Sequence, residues 1–110
     1  MSKSPLELLS DIITESHKQI QNDFKAINPV VSVTTKMRLI GIPSDIITID
    51  CLATRKRILI VLNDGQPQKV NYQFCMKDDD PEDTFTALPL CDVTQKCLYD
   101  WMASYFSRAD

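Results

Sequence analysis

An acidic run, Asp78-Asp79-Asp80-Pro81-Glu82-Asp83, is the most prominent polar feature of the sequence. An EF-hand type of calcium loop needs oxygen ligands at alternate positions, a glycine at the sixth position and a bidentate glutamate at the twelfth. Counted from the start of the run, the sixth position holds Asp83 and the twelfth holds Pro89. The run therefore indicates a solvated loop whose charges repel one another, and not a metal site. A carboxylate pair such as Asp80 and Glu82 is kept as a candidate for acid–base chemistry.

The cysteines are a second candidate, because a thiolate is a nucleophile and a metal ligand. The sequence contains four cysteines but no Cys-x-x-Cys motif, which argues against a zinc ribbon or a thioredoxin-like site. Cys51 and Cys97 fall on predicted apolar faces, so we expect both in the core. Cys91 precedes a predicted helix, whose N-terminus favours a thiolate, and the only possible imidazole base is His17. Nothing in the sequence brings these two residues together, and we assign no catalytic residue.

The remaining residue types exclude several cofactor-dependent functions. A single histidine, His17, argues against a histidine-based metal site. The two glycines, Gly41 and Gly65, lie in predicted turns and cannot build a phosphate-binding loop, a nucleophile elbow or a dinucleotide fingerprint. We therefore expect neither a cofactor nor a metal ion.

Basic residues on the predicted strands suggest a binding face instead. Lys36, Arg38, Lys69 and Lys77 share the outward parity of their strands. Readers of single-stranded nucleic acid also need exposed aromatic side chains for base stacking. The aromatic residues of the fourth predicted strand have the inward parity, and the net charge is −3, so nucleic acid is not the expected partner. Two alternatives stay open for this face: it binds an acidic protein partner, or it is simply solvated, as one face of an antiparallel sheet commonly is.

Two amphipathic helices are predicted, one near each end of the chain. Ser4-Pro5-Leu6-Glu7 forms a capping box with proline at the first helical position, and Asn28-Pro29 ends a helix of roughly 22 residues. Asp92-Val93-Thr94-Gln95 is a second capping box, which begins a helix that ends near Ser107. The aromatic stripe of this helix is expected in the core, and any surplus part of it would form a homodimer seam.

Between the helices, alternating apolar residues predict four strands: Val30 to Ile40, Ile46 to Thr54, Ile58 to Leu62, and Lys69 to Lys77. Their short connections favour an antiparallel meander, because parallel strands need long crossovers. Both helices then lie across the inward face of the sheet. The predicted fold class is α+β: a two-layer sandwich with an N-terminal helix, a four-stranded antiparallel meander and a C-terminal helix.

The third predicted strand, Ile58 to Leu62, is apolar on both faces, whereas its neighbours alternate. Leu59 and Val61, together with Leu52, should therefore form an apolar island on the outward, polar face. Two alternatives stay open for its cover: the segment around Phe85, Leu88 and Leu90 folds back over it, or a second subunit does. Whether residues 84–91 form an extra strand is also open.

Length and composition set the broad class. A chain of 110 residues, 44% hydrophobic and 25% charged, is expected to form a single domain spanning residues 1–110. No apolar run is long enough to cross a bilayer, and the start of the chain lacks the apolar core of a signal peptide. We therefore expect a cytoplasmic protein with reduced thiols and no membrane partner.

These observations favour a small non-enzymatic protein-binding or adaptor module, whose candidate binding residues are Lys36, Arg38, Leu52, Leu59, Val61, Lys69 and Lys77. One alternative is an acidic homodimeric chaperone of the kind that serves secretion systems, an analogy of size, acidity and helix–sheet–helix order. A small enzyme that depends on Cys91 or on a carboxylate pair is the least favoured alternative. The expected partner is another protein or a second copy of the chain.

Overall fold

One antiparallel sheet with helices on one side forms the protein, as a computed structural model that describes residues 4–24, 27–76 and 84–107 shows. Its elements in chain order are α1 (Pro5–Asp23), β1 (Pro29–Thr34), α2 (Lys36–Leu39), β2 (Ser44–Cys51), β3 (Lys56–Asn63), β4 (Lys69–Met76), β5 (Thr86–Pro89), a 3-10 turn (Leu90–Asp92) and α3 (Gln95–Phe106). The five strands lie in sequence order, each antiparallel to the next. The predicted α+β class and meander are confirmed, and the segment left open supplies a fifth strand.

Helix α1 begins as its capping box predicts. The Ser4 hydroxyl accepts a hydrogen bond from the Glu7 backbone N–H at 3.2 Å, and Pro5 opens the helix. The predicted extension to Asn28 is wrong, because Phe24 adopts an extended backbone (φ −127°, ψ 93°) and its N–H bonds back to the Ile20 carbonyl. Ile27 belongs to the connection to β1 and is still buried in the core.

Strand β1 is shorter than predicted, and this changes the position of two candidate residues. The strand ends at Thr34, and Lys36–Leu39 forms the short helix α2. Lysine, methionine, arginine and leucine are all strong helix formers, so the local propensity overrides the alternating pattern. Gly41 then ends the helix with a left-handed φ of +87°. The prediction that Lys36 and Arg38 lie on the outward face of a strand is wrong.

The core lies between the inner face of the sheet and the two long helices. Ile47 and Ile49 of β2 pair across the sheet with Ile60 and Ile58 of β3. All four are fully buried, as are Leu9 and Ile20 of α1 and Leu98 and Met102 of α3. Every second residue of the strands packs against the apolar stripes of α1 and α3, which confirms the two-layer arrangement.

The aromatic stripe of α3 packs on β4. Trp101 lies 4.3 Å from Tyr72 between ring centroids, and Tyr105 stacks on Phe74 at 4.9 Å. Aromatic pairs at these separations stabilise a fold beyond the area they bury. These rings therefore pack against one another within the chain, although Phe74 remains 41% exposed.

The start of α3 differs by two residues from the sequence prediction. Asp92 closes the 3-10 turn, and Thr94 caps the helix by accepting a hydrogen bond from the Cys97 N–H at 3.1 Å. Thr94 was expected as an interior residue of the capping box. No helix in the described ranges is long and apolar enough to cross a membrane. The acidic run 78–83 and Lys77 lie outside the described residues.

Candidate functional site

The open face of the sheet is the side opposite α1 and α3. Its residues alternate along each strand with those of the core: Val30, Ser32, Thr34, Ile46, Thr48, Asp50, Arg57, Leu59, Val61, Asn71, Gln73, Cys75 and Ala87. Two cross-strand rows run through its centre. One row joins Thr48, Leu59 and Gln73, and the other joins Ile46, Val61 and Asn71.

Leu59 is buried on the open face, although α1 and α3 pack on the opposite face of the sheet. Its exposed fraction is 7%, yet it is not part of the core cluster that contains its strand neighbours Ile58 and Ile60. Its cross-strand neighbours are Thr48 and Gln73, and the Gln73 amide donates to the Thr84 carbonyl at 3.4 Å. On β3, Ile58, Ile60 and Leu62 are buried on the core face, whereas on the open face Leu59 is buried and Val61 is half-buried.

The first alternative for covering Leu59 and Val61 is wrong for Leu88 and Leu90. Leu88 lies in β5, where it pairs with Val70, and both Leu88 and Leu90 pack against the core cluster on the helix side of the sheet. The segment extends the sheet at its edge because its backbone hydrogen bonds are satisfied by β4. A cover provided by another molecule stays a prediction.

The open face carries little net charge. Asp50 and Arg57 are cross-strand neighbours joined by two hydrogen bonds, Nε to Oδ1 at 2.7 Å and Nη2 to Oδ2 at 3.0 Å. Such a bidentate pair neutralises both side chains where they stand. Lys69 stands at the first residue of β4, at the end of the face. The described part of this face is therefore apolar at its centre and lined by hydroxyl and amide groups, and it is not the basic face predicted.

Arg38 is engaged elsewhere. Its guanidinium binds both oxygens of Asp45 at 2.9 Å and both oxygens of Asp64, at 2.7 and 2.8 Å. These hydrogen bonds raise the pKa of Arg38 and lower the pKa of Asp64. Asp45 shares the parity of Ile47, so Arg38 lies toward the helix side, beside a cavity of about 220 Å³ that Ser4 also lines.

The other predicted binding residues do not converge with the open face. Lys36 is exposed in α2, and Leu52 is 54% exposed in the turn that follows β2, beyond the Asp50–Arg57 pair. Of the predicted residues that the structure describes, only Leu59 and Val61 lie together at the centre of the face, with Lys69 at its end.

The possible nucleophile and its possible base are separated. Nε2 of His17 lies 2.5 Å from the Pro29 carbonyl oxygen, in a groove between α1 and β1. Cys91 is exposed beside a different cavity, and its thiol contacts Asp92 at a Sγ–Oδ1 distance of 3.9 Å. Burial raises the pKa of Cys97, which disfavours its thiolate. Across residues 4–24, 27–76 and 84–107, no three His, Cys, Asp or Glu side chains cluster as metal ligands would.

Sequence reasoning missed two exposed apolar features. The turn after α2 exposes Leu39 by 86%, Ile40 by 71% and Ile42 by 44%. The outer edge of β1 exposes Val30 and Val33. The apolar sequence around Gly41 is a signal for the first of these features, but the alternating pattern predicts the end of a strand and a turn there. No family model, curated protein or solved structure matches this chain.

Proposed function

We propose that the protein is a non-enzymatic protein-binding module and that the open face of its sheet is the docking surface. The observation that carries the proposal is the row Ile46–Val61 beside the buried Leu59, on a face that neither α1 nor α3 covers. Antiparallel sheets commonly leave one face in water, but a wet face usually carries polar side chains at its centre. This face carries aliphatic ones.

The chemistry of the face defines the kind of partner. The centre offers aliphatic side chains, and the surrounding Thr48 and Asn71 offer a hydroxyl and an amide group. The charge of Arg57 is already satisfied by Asp50. A complementary partner is a protein surface with an apolar centre and an uncharged polar rim. Protein interfaces commonly have an apolar core and a polar rim. A strongly acidic partner fits less well than the sequence alone suggested.

The separation of Cys91 from His17 supports a binding function over a cysteine-dependent one. A cytoplasmic location is part of the proposal. It is supported by Cys51, Cys91 and Cys97, which are free thiols, as is usual in a reducing compartment.

The test is affinity capture from the native cell with quantitative mass spectrometry, using the parent chain and the double variant Ile46→Thr/Val61→Thr. Threonine keeps the β-branched shape and adds a hydroxyl, so the strands should still form. Leu39→Ser is the matched control, because it removes exposed apolar area outside the sheet. We expect a partner that the parent and the control retain and the double variant loses, and that binds directly when purified.

Two results would contradict the proposal. One is a set of captured proteins that does not differ between the parent and the double variant. The other is a partner lost equally with Leu39→Ser, which would move the docking surface to the turn after α2. Circular dichroism and urea unfolding of each variant check that the fold is kept.

A further inference from the structure

The two edges of the sheet differ in how well they are protected against pairing with another strand. Strand β5 is four residues long and ends in a proline, Pro89, which cannot donate a hydrogen bond. Strand β1 is six residues long, and the segment from Val30 to Thr34 has no charged side chain. Proteins usually block such edges with lysine, proline or a bulge. Among these devices, the described part of β1 contains a proline, Pro29, at its first residue.

Alternation along the strands shows which backbone groups of β1 face outward. The Asp64 N–H donates to the Pro43 carbonyl at 2.9 Å, so the odd-numbered positions leading into β2 face β3. The even-numbered positions of β2 therefore face β1, where they pair with Val30, Ser32 and Thr34. The N–H and C=O groups of Val31 and Val33 are left at the free edge. The Pro29 carbonyl, which has the same parity, is indeed turned away toward His17.

We propose that this edge pairs antiparallel with the β1 edge of a second copy of the chain, with Ser32 on the two-fold axis. Val31 of each copy then lies opposite Val33 of the other, and about four backbone hydrogen bonds form between the outward groups. A two-fold axis perpendicular to the sheet places the same face of both copies on the same side. The edge is self-complementary in shape, hydrogen bonding and charge, as a two-fold interface requires.

The groove beside β1 supports a second copy as the occupant. It has a volume of about 480 Å³, and the apolar Ile13, Val31 and Val33 line it together with Lys18 and His17. In the paired arrangement the valines of the second copy continue this apolar lining, so that Val33, now 47% exposed, becomes buried. Lys18 is already close to Glu15, at 3.7 Å, and adds no unpaired charge to the seam.

The oligomeric state tests the proposal. Sedimentation velocity of the parent chain should show a dimer, and Val33→Lys should weaken its association by about tenfold or more, because a charged side chain blocks a strand edge. Ala87→Lys is the matched control, since it adds the same charge to the other edge strand. It should leave the dimer unchanged. A chain that stays monomeric at high micromolar concentration would overturn the proposal.

A disulfide trap tests the register without relying on the folding of Val33→Lys. Ser32 and its counterpart form a non-hydrogen-bonded pair with Cα atoms about 4.5 Å apart, which a disulfide can bridge. In a Cys91→Ser background, Ser32→Cys should give a covalent dimer on mild oxidation. Val30→Cys is the control, because it lies on the same face but about 13 Å along the strands from its counterpart. Equal cross-linking by both variants would contradict the register.

The remaining outcomes distinguish edge pairing between two copies from other uses of the sheet. A dimer that survives Val33→Lys but is lost with Ile46→Thr/Val61→Thr would place the second copy on the open face and refute edge pairing. A monomeric chain that loses a different protein on Val33→Lys would assign the edge to a foreign strand. The proposal does not depend on the proposed function, since the double variant should leave the edge-paired dimer intact. A dimer is also what the chaperone alternative requires.

Discussion

Strand β3 should respond very differently to truncation on its two faces. Ile60 and Leu59 are neighbours in the sequence, and their exposed fractions are 0% and 7%. Replacing either by alanine removes three carbon groups, which costs about 2.4 kcal/mol of transfer free energy at full burial. Ile60→Ala also leaves a cavity between the sheet and the helices, so its total loss should be about 4 kcal/mol.

Leu59→Ala should cost about 2 kcal/mol, because neither α1 nor α3 packs over the site and its neighbours and solvent can fill the space. Equilibrium urea unfolding of both variants, with slopes that agree with the parent, measures the difference. Ile60→Val is a milder member of the series for the case in which Ile60→Ala is too unstable to analyse. It should cost about 1 kcal/mol.

Two further substitutions bracket these values. Ile60→Asp should unfold the protein, since a buried unpaired carboxylate costs several kcal/mol against a total stability of roughly 5–15 kcal/mol. Lys36→Asp, on an exposed residue of α2, should change stability by about 0.5 kcal/mol or less. A loss for Leu59→Ala equal to or larger than that for Ile60→Ala would refute the reasoning, because it would mean that a packed second layer covers the open face.

Two other predictions concern the ends of elements. Thr94→Ala should destabilise the protein by about 1 kcal/mol through loss of the α3 cap, and Asp92→Ala should destabilise it by much less. Urea unfolding measures both losses. A larger loss for Asp92→Ala would mean that Asp92 is the cap, as the sequence predicted. Because Arg38 lowers the pKa of Asp64 below its ordinary 3.8, this carboxylate stabilises the folded state fully above about pH 4, and the gain is lost as the pH falls through the folded-state pKa. Asp64→Asn should thus be less stable than the parent at pH 7 and low salt, and equal to it at acid pH. A stability difference that is the same at both pH values would contradict the ion pair.

The periodicity of the apolar residues carried most of the fold. The period of two in β2 and β4 and the stripes of α1 and α3 specify which side chains enter the core, since one face of each of these elements is apolar. The cap at Ser4 could also be predicted, because a capping box depends on residues three positions apart. The apolar continuity of β3 correctly indicated that Leu59 is buried on the face opposite the core. These features depend on neighbours in the sequence.

The features that sequence reasoning missed depend on residues that are distant in the chain. The end of β1 at Thr34 has a local cause, the helix propensity of Lys36–Leu39, and a distant one, the binding of Arg38 to Asp64, 26 positions away. The fifth strand forms because β4 offers its unpaired edge to Thr86–Pro89, a segment with no clear period of its own.

For the candidate site, the sequence by itself determined that Leu59 and Val61 lie on the face opposite the core, because adjacent residues of a strand point to opposite sides. Only the tertiary structure decided what surrounds them. It removed Lys36 and Arg38 from that face, paired Arg57 with Asp50, and left the edge of β1 open. Charge and edge exposure are properties of the assembled sheet, since each depends on which strand lies next to which, and a local pattern of residues does not contain that information.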